Sequence, residues 1–579
     1  MNHLNAVLLN GIVKNHSDSN RKYLLSLDTE RIFANFYIQA GLNSNMHQPP
    51  KTYGGWEEPD IQVHGHIAGH YLSACAMYAY YSNDMELYGR VVKAVDILAM
   101  CQNENEDGWV GSIPPVYLDR IARKKWVWAP HYTMHKTLMG LVDAYRYCKV
   151  EKALKVASSL ADWFLKWSEK FSYEEMQDIL DWETGGMMEA WADLYGLTGE
   201  EKYKILMERY THYRFFEPML EGKDILTNTH ANTTIPEAHG MARAYQVTGE
   251  EKYRTFAQGY LELALNARDS YCTGGQNSGE VWLAHFTHSD LGDQTQEHCT
   301  VYNMIRLCEY VMTWDPDVKY ADYIEKNVYN GLMAQHRLSD GMNTYYLPLG
   351  TGSRKGWATP HNHMTCCLGT TMQANASYEG RIFYEKDGNL VISQYISSAV
   401  SWKKEGKSVK VEMTSSAVGD NIYHPEKLLH KIRISSPEKV AFVLTVRIPA
   451  WSAETIVKVN GKEYFTSSAG TCCWLDIPGE WQEDTVEVIC KQALTLSRLS
   501  ETDYYAVLYG PTVLAGLTDN DCCLRGINDD TVCDMIRPRS VHDWNTNTNT
   551  WEADNDQRSI VMKALNEIDD EIYTVYFKK

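Results

Sequence analysis

The feature that most constrains the fold is an internal repeat with a period of about 50 residues. The stretch LYGLTGEEKY at residues 194–203 recurs as AYQVTGEEKY at residues 244–253. In each copy an amphipathic segment ends at a glycine and an acid-rich segment opens the next one, which is typical of two helices joined by a short turn. The repeat therefore predicts a helical hairpin as the building unit, with a period in the range of repeat architectures.

Weaker copies of the same pattern lie near residues 79–84, 144–148 and 310–315, so that roughly six hairpins fit between residues 20 and 370. A single hairpin cannot bury both of its faces, and closing the row into a ring removes the exposed ends of an open array. We therefore predict an (α/α)6 barrel domain over residues 1–375. Loops that lead into successive hairpins, at residues 128–136, 182–187 and 229–233, are expected to share one rim.

Past residue 370 the hydrophobic period changes from 3.6 to 2. Segments such as 389–395 and 440–446 alternate or run apolar, with β-branched residues between Gly, Asn and Pro turns, which indicates antiparallel strands. We predict a β-sandwich over residues 376–500 and a second, smaller sandwich or completing strands over residues 501–579. The predicted fold class is therefore α+β and multidomain: an (α/α)6 barrel followed by antiparallel β-sandwich domains.

Charge and hydropathy narrow the class of partner. The 579 residues include 75 acidic and 55 basic side chains, giving a net charge of -20, which would repel nucleic acid. No apolar run approaches the length of a membrane span, so no membrane partner is expected. The N-terminus lacks a basic region followed by a clean apolar core, and the 14 cysteines are too sparse for a disulfide scaffold. These features predict a cytoplasmic protein.

Four of the chain's cysteine and glutamate residues are spaced as metal ligands. Glu297 and Cys299 form one short pair, and Cys366 and Cys367 form another. Three thiols and one carboxylate give the four ligands that a tetrahedral zinc ion takes. The pattern alone is only moderately specific, because adjacent pairs also occur at residues 472–473 and 522–523, and such pairs are more often structural than metal-binding.

A set of motifs in chain order resembles a known enzyme family. They are YGGWE at 53–57, GHIAGHYLSA at 65–74, His135-Lys136 followed by Gly140-Leu141, NTTIP at 232–236, Gly274-Gly275 followed by Gly279-Glu280, Glu297-x-Cys299, and Cys366-Cys367. Together they resemble the β-L-arabinofuranosidases of glycoside hydrolase family 127 and its sister family 146. The resemblance covers most of the chain, although the last sandwich is short here.

The resemblance implies an (α/α)6 barrel with β-sandwiches, and a zinc ion (Zn2+) held by Glu297, Cys299, Cys366 and Cys367. It also implies that Cys366 is the nucleophile and Glu280 the general acid/base of a retaining, exo-acting glycoside hydrolase. Such an enzyme would release β-L-arabinofuranose or a related furanoside from an oligosaccharide or glycoside. The other interpretation of Glu280 is an acid at a helix N-terminus after Gly279.

Recognition of a furanose ring needs short donors and acceptors around its hydroxyls. The substrate-binding candidates are Glu57, His66, His135, His230 and Tyr345, each of which could instead be a structural hydrogen-bonding residue. The sequence leaves the sugar, its linkage and the oligomeric state open, a homodimer included.

Two other classes of function fit a helical toroid. A sugar epimerase or an unsaturated-uronyl hydrolase would need no metal and would leave the cysteines without a role. A carbohydrate-binding protein could use the zinc only to join the barrel to the sandwich. Metal analysis and an assay of Cys366→Ala separate these classes from a cysteine-dependent hydrolase.

Overall fold

The computed structural model describes most of the chain. The described residues are 1–42, 51–182, 184–419, 425–500, 502–520, 524, 528–539, 550–554 and 559–579. The adjacent cysteines Cys522 and Cys523 lie outside them.

The first two thirds of the chain are mainly helical, and one short helix lies near the end of the chain. In chain order the helices are α1 Ile12–Ser26, α2 Thr29–Ile32, α3 Ala34–Gln39, α4 His66–Tyr81, α5 Met85–Asn105, α6 Val116–Ala122, α7 Pro130–Cys148, α8 Glu151–Ser168, α9 Tyr173–Leu180, α10 Met187–Thr198, α11 Glu201–Arg209, α12 Tyr213–Leu220, α13 Ala231–Thr248, α14 Glu251–Leu265, α15 His298–Met312, α16 Val318–Asn327, α17 Cys366–Ala374 and α18 Val532–Met535.

Six of these helices form a closed inner ring. Helices α4, α7, α10, α13, α15 and α17 each pack on the next, and α17 packs back on α4. Outside the ring, α5, α8, α11, α14 and α16 each pack on the inner helix that precedes them. Inner helices are buried almost all round, whereas outer helices such as α8 bury one stripe, as expected for two concentric layers. The predicted (α/α)6 barrel is confirmed.

The sequence repeat coincides with the turns between inner and outer helices. Helices α10 and α13 end at Gly199 and Gly249, which adopt the left-handed conformation with φ of 72° and 71°. Glycine adopts this conformation without the steric cost that a Cβ atom would impose. The next helices begin at Glu201 and Glu251, so the repeated TGEE segment is the hairpin turn itself.

The glycine in the GHIAGH motif allows two inner helices to approach closely. A Cβ atom on Gly69 would lie only 1.8 Å from the backbone oxygen of Lys136. Any larger residue at position 69 would therefore push α7 away from α4, and α7 carries several residues of the site described below.

The last third of the chain is mainly β-structure, and short strands also occur at the start of the chain and between α14 and α15. The strands are β1 Asn2–His3, β2 Ala6–Leu8, β3 Asn277–Ser278, β4 Val281–Trp282, β5 Phe383–Lys386, β6 Asn389–Ile392, β7 Ser398–Lys404, β8 Lys407–Val418, β9 Lys427–Ile448, β10 Glu454–Val459, β11 Lys462–Thr466, β12 Cys473–Lys491, β13 Leu494–Arg498, β14 Tyr504–Tyr509, β15 Thr512–Gly516, β16 Ile536–Pro538, β17 Trp551–Asp554, β18 Ser559–Ala564 and β19 Tyr576–Lys578.

Two large sheets follow the barrel. The long antiparallel strands β9 and β12 run through the first sheet, where β6 pairs with β9 in parallel. Strands β1 and β2, from the start of the chain, also join this sheet by pairing with β5 and β7. Strands β13 to β19 form the second sheet. The predicted order of a helical barrel followed by β-domains is confirmed.

A buried ion-pair network joins the barrel to the first sheet. Arg447 of β9 is fully buried and donates two hydrogen bonds to Glu325 of α16, at 2.6 and 3.1 Å. Trp451 donates to the same carboxylate at 2.7 Å. Since a buried charge is stable only when it is paired, this network fixes α16 against the sheet.

Among the described residues, no helix is both long and apolar enough to cross a bilayer.

Candidate active site

The four residues predicted as metal ligands meet at one end of the barrel. The sulfur atoms of Cys299, Cys366 and Cys367 and a carboxylate oxygen of Glu297 all lie within 4.8 Å of one another, and all four residues are buried. Glu297 immediately precedes α15, and Cys366 is the first residue of α17. Because α15 and α17 are neighbours in the inner ring, their first turns place the two short pairs side by side.

Individual distances show how tightly the group is packed. The Cys299 sulfur lies 3.3 Å from that of Cys367, which is 4.0 Å from the Cys366 sulfur and 3.7 Å from Glu297 Oε1. Thr300 donates a hydrogen bond to Glu297 Oε2 at 3.1 Å, which orients this carboxylate. The four side chains are therefore already close together before any ligand binds.

The electrostatics of the cluster favour a cation. Burial, followed by the charge of Cys366, raises the pKa of Glu297 to about 8. Burial and the bond to Cys366 also raise the thiol pKa of Cys299 and Cys367. Burial opposes ionisation of Cys366 as well, but its hydrogen bonds with Cys299 and Cys367 outweigh it and hold the pKa of Cys366 well below its usual range. Without a cation, Cys366 is the one ligand of the four that these shifts favour as an anion. A divalent cation would allow all four ligands to ionise, so three thiols and one carboxylate in this position fit zinc.

Glu280 lies at the tip of a tight hairpin. Strands β3 and β4 pair on either side of Gly279 and Glu280, whose φ angles are 56° and 69°. Two consecutive positive φ values are typical of a two-residue hairpin turn, and a non-glycine residue in that conformation is strained. The alternative interpretation of Glu280 as a helix N-terminal acid is therefore wrong. The strained turn carries the side chain to the mouth of the barrel.

A tyrosine hydroxyl connects this carboxyl to the cysteine cluster. Tyr345 donates a hydrogen bond to Glu280 Oε1 at 2.5 Å, and its hydroxyl lies 3.4 Å from the Cys366 sulfur. The carboxyl and the thiol therefore face the same small volume.

That volume is a cavity of about 160 Å³ at the centre of the rim. Three of the predicted substrate-binding residues, His135, His230 and Tyr345, line it together with Glu280 and Cys366. His230 Nε2 lies 3.9 Å from Glu280 Oε2. His135 is buried beneath Gly186, and its Nδ1 atom has no hydrogen-bond partner among the described residues.

The other two candidates, Glu57 and His66, lie behind the cavity wall. Glu57 is buried and accepts hydrogen bonds from the backbone N–H groups of Gly65 and Ile67, at 2.6 and 3.1 Å. Burial raises its pKa to about 7 and lowers that of His66 to about 4. His66 lies within hydrogen-bond distance of Tyr132, which does line the cavity, at 3.0 Å. Direct contact of Glu57 or His66 with a substrate stays a prediction.

The cavity also contains residues that were not among the sequence candidates. They are Trp56, Trp128, Tyr132, Lys136, Asn303 and Thr370. Asn303 follows Cys299 by four positions on α15, and Thr370 follows Cys366 by four positions on α17. Residues four apart share a helix face, so this spacing is a signal that could have identified both.

Comparisons with known proteins show which family the sequence matches. The catalytic-domain model of GH127 β-L-arabinofuranosidases matches residues 6–380, and the GH127 middle-domain model matches residues 389–490. The chain is 24% identical over 520 residues to a non-reducing end β-L-arabinofuranosidase of Bifidobacterium longum subsp. longum, covering 79% of this chain and 76% of that relative.

Two solved structures show the same fold. A GH127 β-L-arabinofuranosidase from Geobacillus stearothermophilus T6 superposes with a TM-score of 0.74 at 17% identity, covering 99% of this chain and all of that one. A second GH127 β-arabinofuranosidase gives 0.73 at 16% identity, covering 100% of this chain and 97% of that one. Fold, site and family matches define this protein as a glycoside hydrolase. The chain belongs to glycoside hydrolase family 127.

Proposed function

We propose that this protein is a retaining, exo-acting β-L-arabinofuranosidase whose nucleophile is Cys366 and whose general acid/base is Glu280. The family match and the Bifidobacterium relative support the reaction and the sugar. The observation that carries the mechanism is the Tyr345 hydroxyl, which lies 2.5 Å from the Glu280 carboxyl and 3.4 Å from the Cys366 sulfur. A single anomeric centre in this cavity would contact both groups.

In the first step the Cys366 thiolate attacks the anomeric carbon. A carbon–sulfur bond forms as the glycosidic carbon–oxygen bond breaks, and the Glu280 carboxyl gives its proton to the departing oxygen. In the second step the Glu280 carboxylate takes a proton from water, whose oxygen attacks the same carbon and releases the thiolate. Two inversions at one carbon retain its configuration.

Glu297, Cys299, Cys366 and Cys367 are the residues that would hold a zinc ion. When bound, the ion supplies the positive charge that keeps these thiols deprotonated. Three thiolates and one carboxylate exceed the charge of one divalent ion by two, and we infer that this excess preserves the nucleophilicity of Cys366. Glu297 would thus adjust the nucleophilicity of the Cys366 sulfur and would take no part in proton transfer.

The small cavity favours exo action on one terminal sugar. Its volume of about 160 Å³ lies below the roughly 300–1,000 Å³ of common ligand sites. A furanose ring with its hydroxyls facing His135 and His230 suits this space, and the rest of the substrate would extend past the rim.

A panel of aryl β-L-arabinofuranoside, β-L-arabinopyranoside and related furanosides tests the sugar, and NMR of the first product anomer tests retention. The variant Cys366→Ala tests the nucleophile, with folding and metal content checked, and Cys473→Ala in the β-domain is the matched control. We expect turnover of the arabinofuranoside to be lost in the first variant and kept in the second. An inverted product, or full activity of Cys366→Ala, would refute the mechanism.

The alternative functions find less support. Membership of a glycoside hydrolase family argues against a sugar epimerase and against a binding protein without activity.

A further inference from the structure

A second groove adjoins the active-site cavity. It has a volume of about 180 Å³ and is lined mainly by Trp126, Trp128, Trp182 and His131, with Asp181 at one side. Trp128 and Ala129 line both spaces, so that one tryptophan forms the wall between them. We propose that this groove is a subsite for the second sugar of an oligosaccharide substrate, the sugar released when the terminal furanose is cleaved. The inference rests on the proposed hydrolase function.

The exposure of its aromatic rings supports a ligand. Of the tryptophans in the described part of the chain, Trp126 alone is more than half exposed, at 63%. Trp128 and Trp182 are half-buried. A large ring kept in water costs solvation free energy, and clusters of such rings at a rim mark a binding surface. A sugar presents apolar C–H faces that such rings can cover.

Polar groups suited to sugar hydroxyls border the same groove. Asp181 accepts hydrogen bonds from His212 at 3.1 Å and Arg214 at 2.6 Å. A carboxylate has about four lone-pair positions, so Asp181 can still accept from a hydroxyl. Its bond to His212, and then the one to Arg214, lower the pKa of Asp181 and keep it an acceptor. A negatively charged carboxylate accepts hydrogen bonds from the hydroxyls of a neutral sugar and repels the carboxylate of an acidic sugar, so Asp181 favours a neutral sugar in this groove.

The position of the groove around the ring fits the departure of a leaving group. Cys366, the proposed nucleophile, is the first residue of α17. In the closed ring of inner helices, α10 lies opposite α17, with two inner helices between them on each side. A displacement expels the leaving group on the side opposite the nucleophile. Trp182 lies in the segment that leads into α10, and Trp126 and Trp128 lead into its neighbour α7. The released sugar would therefore leave toward these three rings.

The test compares two substrates in each protein: a β-L-arabinofuranosyl disaccharide and methyl β-L-arabinofuranoside, which has no second ring. For Trp126→Ala and Trp182→Ala we expect the ratio of their kcat/KM values to fall about 10-fold, the effect of losing roughly 1.4 kcal/mol of ring contact. Tyr464→Ala, an exposed aromatic on β11, should leave the ratio unchanged. Circular dichroism checks folding.

The outcomes separate this inference from the proposed function. If the wild-type protein cleaves neither arabinofuranoside, the proposed function fails. If it cleaves both and the tryptophan variants keep the wild-type ratio, or lose both substrates equally, the second-sugar subsite is refuted while the hydrolase stands.

Discussion

The hydroxyl of Tyr345 donates to Glu280 Oε1 at 2.5 Å, across the mouth of the barrel. This bond, together with the 3.4 Å approach of the same hydroxyl to Cys366, fixes the orientation of both proposed reacting groups. Removing the hydroxyl in Tyr345→Phe should lower kcat about 10- to 100-fold, since a hydrogen bond to a charged group contributes roughly 1.5–3 kcal/mol. Steady-state kinetics measures the loss, and Tyr173→Phe on the exposed face of α9 serves as the control. A kcat equal to wild type in Tyr345→Phe would contradict this role.

Replacing Glu297 tests the charge of the cysteine cluster. Glu297→Gln keeps the size of the side chain but removes one negative charge, and we expect both zinc content and turnover to fall about 10-fold or more, as when a metal-site partner is removed. Elemental analysis by mass spectrometry measures zinc per chain beside an activity assay. Glu412→Gln on strand β8 is the control. Full activity with the metal lost would rule out the proposed tuning.

The buried histidine His430 should make stability depend on pH. It stacks on Tyr395 with ring centroids 4.1 Å apart, and burial, followed by the charge of Arg447, lowers its pKa to about 3. In the unfolded chain this histidine takes up a proton as the pH falls below 6.5, whereas in the folded protein it stays neutral until the pH nears 3. Its contribution to the unfolding free energy is therefore fully present above pH 6.5 and is lost as the pH drops toward 3.

His430→Gln should therefore reduce the difference in unfolding free energy between pH 7 and pH 5 by about 2 kcal/mol. Urea unfolding at the two pH values measures it. The control is His285→Gln, at an exposed position. An unchanged difference in His430→Gln would show that the histidine does not carry the effect.

The network around Arg447 should contribute strongly to stability. Arg447→Ala leaves the Glu325 carboxylate buried without its main partner, and breaking a buried pair in this way costs about 3–5 kcal/mol. Arg433→Ala on the same strand removes an exposed arginine and should change stability by less than about 0.5 kcal/mol. Chemical denaturation compares the two. Equal effects would mean that the buried network adds nothing specific.

Much of this architecture could be predicted from local pattern. The TGEE repeat predicted hairpins because glycine at a helix end is a local requirement, and six such hairpins predicted a ring. The pairs at Glu297 and Cys366 could be recognised because each stands within three residues in the sequence. Their meeting depends only on α15 and α17 being neighbours.

Other features depend on distant contacts that no local pattern encodes. Strands β1 and β2 pair with β5 and β7, nearly 400 residues away. Glu280 was open to two interpretations, since a glycine followed by an acid suits a helix start and a tight turn alike, and only its pairing strands decide. The location of Glu57 behind the cavity follows from its bonds to Gly65 and Ile67, which depend on the path of the backbone.

Because α17 closes the ring and also begins with Cys366 and Cys367, the proposed nucleophile is added late in protein synthesis. A nascent chain that has produced the first five inner helices holds Cys299 and Glu280 but neither thiol of the second pair. We expect such a chain on the ribosome, and any proteolytic fragment that ends before residue 366, to have no hydrolytic activity on glycosides. We therefore expect hydrolysis only from a chain that contains all six inner helices.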